Sequence, residues 1–104
     1  MTFKIERQPV IQAGDLYIDP QRYIVKLSET EIKLDPKEFD VLYFLAQYPN
    51  WVLSAGQIYE AVWKENMVKS GEVIVYNVIC KIRKKLKRPE IIENVRGRGY
   101  RFVG

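Results

Sequence analysis

The chain has 104 residues, 47% of them hydrophobic and 29% charged, which is typical of one globular domain with a single core. No apolar run approaches the roughly 20 residues that a membrane-spanning helix needs, and the start MTFKIERQPV lacks the apolar segment of a secretion signal. The lone Cys80 cannot form an internal disulfide, which agrees with a reducing compartment. We therefore expect a cytoplasmic protein that does not bind a membrane.

The charge of the chain is unevenly distributed. The net charge is +4 and the isoelectric point is near 9.2. Most acids precede residue 66, whereas basic residues crowd the last quarter of the chain, and this asymmetry predicts one positive face suited to a polyanionic partner. The alternatives are a solvated helix end for the lysines and protection of an edge strand by the arginines. The basic residues are Lys81, Arg83, Lys84, Lys85, Lys87, Arg88, Arg96, Arg98 and Arg101.

The usual catalytic and metal-binding groups are scarce. The chain has no histidine, one cysteine and no pair of carboxylates at a spacing that suggests a shared site. Acid–base catalysis, zinc binding and a catalytic triad therefore lack their usual residues. We expect no enzymatic activity, no metal and no cofactor.

Short strands are predicted over residues 9–34. Turn residues at Gly14, Pro20 and Ser28 separate four runs of β-forming residues, a spacing typical of an antiparallel meander. The predicted strands are 10–11, 16–18, 23–27 and 31–34.

Two helices follow, each with a capping signal. The sequence DPKE at 35–38 places an acceptor at the N-cap, a proline at the first helical position and a glutamate at the third, and SAGQ at 54–57 repeats the box pattern. The first helix is predicted to end at Pro49. The predicted inward residues are Phe39, Leu42, Leu45 and Ala46 in the first helix and Ile58, Ala61 and Val62 in the second.

A polar loop at 64–71 precedes a third helix, which Ser70 is expected to cap and Pro89 to stop. Its predicted buried face is Val75, Ile79, Ile82 and Leu86. The other face combines an amide, lysines and aliphatic side chains, a mixture that favours a helix lying in the major groove of DNA. The residues of that face are Ile74, Asn77, Val78, Lys81, Lys84 and Lys85.

The chain ends in a predicted β-hairpin of strands 91–96 and 100–103 around Gly97-Arg98-Gly99. These glycines are interpreted as turn residues, because the strand–loop–helix setting of a phosphate-binding loop is missing. Strands, three helices and a basic hairpin together predict an α+β winged helix-turn-helix: an N-terminal antiparallel sheet, a three-helix core and a hairpin wing. This domain is expected over residues 9–104, after an N-terminal arm or linker remnant at 1–8.

The chain resembles the DNA-binding effector domain of bacterial two-component response regulators of the OmpR/PhoB type. The resemblance is carried by KEF at 37–39, VW at 62–63 and VRGRGYRF at 95–102, with further matches spread in the family's order over residues 16–103. It implies a transcription regulator of the bacterial cytoplasm that binds specific double-stranded DNA sequences, with the third helix in the major groove and the wing in the adjacent minor groove. It also implies a monomer in solution that binds direct repeats as a tandem dimer, and contact of loop 64–71 with RNA polymerase.

The resemblance and the helix pattern together define the expected site. Asn77 and Lys81 are expected to contact bases, Arg96 the minor groove, and Lys84 and Arg98 phosphates. The full expected DNA-binding set is Ile74, Asn77, Val78, Lys81, Arg83, Lys84, Lys85, Asn94, Arg96, Arg98 and Tyr100.

The chain also departs from the family pattern. Tyr76 and Val78 replace residues usual in the third helix, and Ala55 replaces a frequent basic residue, so the DNA sequence that is recognised stays open. No receiver domain with a phosphoacceptor aspartate is present in these 104 residues, so we expect either an excised effector domain or a stand-alone regulator.

Two other functions remain open at this point. A winged helix can serve as a protein–protein interaction module, although an acidic or apolar third helix would suit that role better. Binding of single-stranded nucleic acid or of RNA would favour aromatic residues on the basic surface, where Tyr76 and Tyr100 are the candidates. The other aromatic residues are expected to pack in or against the core: Tyr43, Tyr48, Trp51, Tyr59 and Trp63.

Overall fold

The computed structural model of the chain describes residues 8–104, so the predicted N-terminal arm, apart from Gln8, lies outside the described residues. The elements follow the predicted order. They are strands β1 (Ile11–Ala13), β2 (Leu16–Asp19), β3 (Ile24–Leu27) and β4 (Thr30–Ile32), helices α1 (Pro36–Gln47), α2 (Ala55–Trp63) and α3 (Gly71–Leu86), a short 3-10 turn (Pro89–Ile91), and strands β5 (Ile92–Val95) and β6 (Gly99–Phe102).

The first four strands form one antiparallel meander in the order β1-β2-β3-β4. Because side chains alternate across a strand, the register that places Ile18 opposite Val25, and Val25 opposite Ile32, collects aliphatic residues on one face. That face packs on the helices, and Leu16, Ile18 and Val25 are buried in the common core.

The capping boxes position α1 and α2 as predicted. The main-chain N–H of Asp35 donates to the Glu38 carboxylate at 2.9 Å. Ser54 and Gln57 exchange two hydrogen bonds of 2.8 and 3.0 Å. All four predicted inward residues of α1 are buried.

One prediction for α2 is wrong. Ile58 and Val62 are buried, but Ala61 is exposed and Tyr59 is buried in its stead. The side of α2 that carries the aromatic rings packs on the core: Tyr59 is in the core, Trp63 packs against it, and their ring centroids are 5.1 Å apart.

Helix α3 buries the predicted residues Val75, Ile79, Ile82 and Leu86. Ser70 occupies the N-cap position, but its side chain makes no capping hydrogen bond. The helix ends at Leu86 because Lys87 takes a left-handed conformation with φ of 57°, and Pro89 then opens the 3-10 turn.

Strands β5 and β6 form the wing, and it is fastened to the rest of the fold along β6. Leu53 and Tyr100 exchange two main-chain hydrogen bonds of 2.9 Å, and Asn50 donates to Phe102 at 2.9 Å. Gly99 makes this approach possible, since it has φ of +146° and a Cβ there would lie 2.1 Å from the Leu53 carbonyl oxygen. The predicted winged-helix fold is therefore confirmed.

Candidate nucleic-acid interface

The outward face of α3 is rotated relative to the face that the sequence pattern predicted. Ile74 and Val78, expected to face DNA, are half-buried and pack against the core. Val73 and Tyr76, absent from the predicted set, are 61% and 48% exposed. Asn77 lies with them and is also exposed. The exposed residues of α3 are Glu72, Val73, Tyr76, Asn77, Lys81, Lys84 and Lys85. We call these its outward face, apart from Glu72 in the first turn and Lys85, which pairs with α1.

An open groove of about 670 Å³ lies between α2, α3 and the wing. Ala55 and Gly56, at the N-terminus of α2, line one side, and the wing residues 94–100 line the other. Ser54 caps the N–H of Gln57, but the N–H groups of Ala55 and Gly56 have no partner among the described residues and lie at the positive end of the helix dipole, so this side favours an anion. Glu72 is the one acid among the residues that line the groove.

The wing tip presents two exposed arginines. The turn at residues 95–98 is closed by a hydrogen bond of 2.8 Å from the Arg98 N–H to the Val95 carbonyl. Arg96 and Arg98 are exposed, and among the described residues neither guanidinium has a hydrogen bond or an ion pair. Both cations are therefore available to a partner.

The basic residues at 81–101 divide into two groups. Five of them are exposed and, within residues 8–104, their side chains have no acidic or carbonyl partner: Lys81, Lys84, Lys87, Arg96 and Arg98. The other four are held by other parts of the fold: Arg83, Lys85, Arg88 and Arg101.

Lys85, expected to contact DNA, instead pairs with α1. Its ammonium donates to the Glu38 carboxylate at 2.7 Å and lies 4.0 Å from Asp35. Glu38 is 2% exposed, so Lys85 supplies the counter-charge of a buried acid, and this hydrogen bond raises the pKa of the lysine. The pairing holds the end of α3 against the start of α1 and occupies the Lys85 ammonium.

Arg88 holds the end of α3 against the N-terminal sheet. Its guanidinium makes two hydrogen bonds to the Asp15 carboxylate in the β1–β2 turn, one of them 2.8 Å long. The hydrogen bonds from Arg88 and Ser28 hold the pKa of Asp15 below its ordinary value of 3.8.

The Asp15–Arg88 pair should make the stability of the domain depend on pH. Because the pKa of Asp15 is lowered in the folded state, the pair contributes fully to the free energy of unfolding above pH 3.8, the ordinary pKa. That contribution is lost as the pH falls through the lower pKa of the folded state. Asp15→Asn should therefore be less stable than the wild-type domain at neutral pH, and the difference should shrink in acid.

Urea unfolding at neutral pH and at several pH values below 3.8 measures this difference. Glu29→Gln is the matched control, since Glu29 is exposed and has no ion pair among the described residues. A difference for Asp15→Asn that stays constant into acid would contradict the prediction.

Three further predicted site residues, at the junction of α3 and the wing, are hydrogen-bonded or buried. Arg83 donates to the Ile92 carbonyl and to the Asn94 side chain, so both Arg83 and Asn94 already have partners. Tyr100 is 8% exposed, and burial raises the pKa of its hydroxyl. Tyr100 belongs to the common core, and the small part of it that is exposed lines the groove beside the wing.

The aromatic residues are only partly in the core. Tyr43 and Tyr59 are buried as expected, whereas Tyr48 and Trp51, expected to pack in or against the core, are 37% and 62% exposed. Trp51 packs on Tyr48 with ring centroids 5.4 Å apart.

Residues 8–104 contain no cluster of three potential metal ligands, and none of their helices is long and apolar enough to cross a membrane.

The fold and this face define the class of protein: a winged helix with free cations on its third helix and its wing. The family model described as "Transcriptional regulatory protein, C terminal" matches residues 29–102. The chain therefore belongs to this family of C-terminal domains of transcriptional regulatory proteins, which confirms the resemblance to the OmpR/PhoB type.

Individual relatives agree with this assignment. The transcriptional regulatory protein TcrA of Mycobacterium tuberculosis is 39% identical over 102 residues, covering 94% of this chain and 40% of TcrA. The chain spans less than half the length of the curated relatives it matches.

Two solved structures share the fold. The RstA DNA-binding domain of Klebsiella pneumoniae, in complex with the RstA box, has a TM-score of 0.83 and 27% identity, covering 92% of this chain and 98% of that one. The response regulator DrrB of Thermotoga maritima, an OmpR/PhoB homologue, has a TM-score of 0.78 and 33% identity, covering 91% of this chain and 44% of that one.

Proposed function

We propose that this chain is a DNA-binding domain of a transcription regulator that recognises specific double-stranded sequences. Helix α3 lies in the major groove and the wing tip reaches the adjacent minor groove. One observation carries the proposal: Lys81 and Lys84 on the outward face of α3, and Arg96 and Arg98 on the wing, are all exposed and free of ion pairs within residues 8–104. The RstA domain, which has the same fold, is described in complex with a DNA site.

The exposed side chains of α3 and the wing fall into groups according to the part of the DNA that each would contact. Asn77 and Lys81 lie mid-helix, where an amide or ammonium meets base edges, and Val73 and Tyr76 offer apolar surface to a thymine methyl group. Lys84 and Arg98 suit phosphates, and Arg96 suits the minor groove. The N-terminus of α2, which lines the groove beside the wing, favours a further phosphate.

The wider function is also part of the proposal. The domain is monomeric in solution, binds direct repeats in tandem and acts in the bacterial cytoplasm without enzymatic activity. The loop between α2 and α3 is its contact with RNA polymerase; Val68 there is 43% exposed and available to a protein partner.

Selection of bound duplexes from a random pool, followed by footprinting, tests this function. The selected DNA should contain two half-sites in direct repeat, about one helical turn apart. Failure to enrich any sequence would favour a protein-binding module, and an inverted repeat would contradict the tandem arrangement.

A further inference from the structure

The Arg83 side chain reaches from α3 to strand β5 of the wing. Its Nε and Nη2 atoms donate to the Ile92 carbonyl oxygen at 3.0 and 2.5 Å, and Nη2 also donates to Oδ1 of Asn94. Ile92 and Asn94 both belong to β5, so one guanidinium contacts two points of the strand.

These side-chain contacts hold β5, whereas main-chain hydrogen bonds hold the opposite strand of the wing, β6. Strand β6 is fastened to the α1–α2 turn by the Leu53–Tyr100 pair. Strand β5 pairs with β6 and buries Ile92 in the core at its start, and the Arg83 side chain from α3 holds it further along, at Asn94. The guanidinium serves both acceptors from one rigid, planar fork of N–H donors, and a lysine ammonium on a flexible stem does not reproduce that geometry.

We infer that Arg83 is a positioning residue, which sets the wing at a fixed angle to α3 and does not itself contact DNA. The inference rests on the proposed function, because the angle matters if α3 and the wing tip occupy adjacent grooves at once. Holding the wing in advance removes the cost of ordering it on binding. Arg83 then contributes to affinity only through Arg96 and Arg98.

A double-mutant cycle separates positioning from direct contact. Arg83→Lys keeps the charge but loses the two-point contact, and it should weaken binding to the selected duplex by about fivefold. In a chain that also carries Arg96→Ala and Arg98→Ala, the same substitution should have almost no effect, because the wing no longer contacts DNA. Lys84→Ala is the matched control and should weaken binding equally in both backgrounds.

Asn94→Ala provides a second variant. Asn94 is exposed, so its replacement should leave folding intact while removing one acceptor of Arg83. Its loss of affinity should likewise disappear in the Arg96→Ala, Arg98→Ala background. Equal losses in both backgrounds, or full retention of affinity by Arg83→Lys, would overturn the positioning role.

A measurement without DNA keeps this inference distinct from the proposed function. Residual dipolar couplings of the main-chain amides should show the wing reoriented relative to α3 in Arg83→Lys and Asn94→Ala, with α3 itself unchanged. An unchanged wing would overturn the inference even if DNA binding is intact. A wild-type domain that binds no duplex would contradict the proposed function instead.

Discussion

Gly99→Ala is expected to lower the free energy of unfolding by about 2–6 kcal/mol, of which about 1–3 comes from backbone strain and about 1–3 from overpacking. The backbone at Gly99 has φ of +146°, which L-residues rarely adopt. An added Cβ would lie 2.1 Å from the Leu53 carbonyl oxygen and 2.8 Å from the Ser54 Cα. Both atoms are main chain, so no side-chain rotation relieves the clash.

Gly97→Ala is the matched control two residues away. Gly97 also has positive φ, +73°, but a Cβ there meets nothing within 4 Å. Its replacement should cost about 1–2 kcal/mol, the strain of the left-handed conformation alone. Urea unfolding followed by tryptophan fluorescence measures both variants. Similar losses for the two would mean that the wing is not seated on Leu53 as described.

Replacement of Asn77 or Lys81 by alanine should reduce affinity for the selected duplex by about 1–3 kcal/mol and relax discrimination at one or two base positions. Lys84→Ala should instead weaken binding to selected and scrambled duplexes alike, and should reduce the slope of log affinity against log salt by roughly one. The difference arises because a base contact depends on sequence, whereas a phosphate contact does not. All three side chains are exposed, so folding should be unaffected.

Titration of each variant against both duplexes at several salt concentrations tests this division. Thermal unfolding of the same samples confirms that the fold is unchanged. If Lys81→Ala weakens binding to the two duplexes equally, Lys81 contacts a phosphate and its role at the bases is wrong.

The sequence predicted the elements well where the signal is local. The capping boxes at Asp35 and Ser54, the buried face of α3 and the glycine turn of the wing each depend on residues within a few positions of one another. Such signals act through short-range hydrogen bonds and helical spacing, which survive in any tertiary setting.

The sequence did not show which of its basic residues are free of ion pairs, because partners distant in the chain decide this. Lys85 meets Glu38, 47 residues away, and Arg88 meets Asp15, 73 residues away. A run of basic residues looks the same whether its members face solvent or a buried acid. The positive segment at 81–88 therefore indicated a charged face but did not show which lysines belong to it.

The rotation of the outward face of α3 has a similar cause. Ile74 and Val78 lie at the edge of the buried stripe of α3, where helical spacing alone is compatible with either a buried or an exposed side chain. Packing against the core half-buries them, and Val73 and Tyr76 are left exposed. An exposed valine and an exposed tyrosine are unusual on a surface helix and would point to a binding face. The sequence alone, however, does not show that these two residues are exposed.

The most direct test of DNA recognition is the affinity of the wild-type domain for the selected duplex and for a scrambled duplex of the same composition, measured over a range of salt concentrations. We expect the selected duplex to bind at least about 10³-fold more tightly, within the usual range for specific recognition. Affinity for both should fall linearly on a logarithmic salt scale, as Lys84 and the wing arginines displace counterions. Equal affinity for the two duplexes, or no binding to either, would contradict the account.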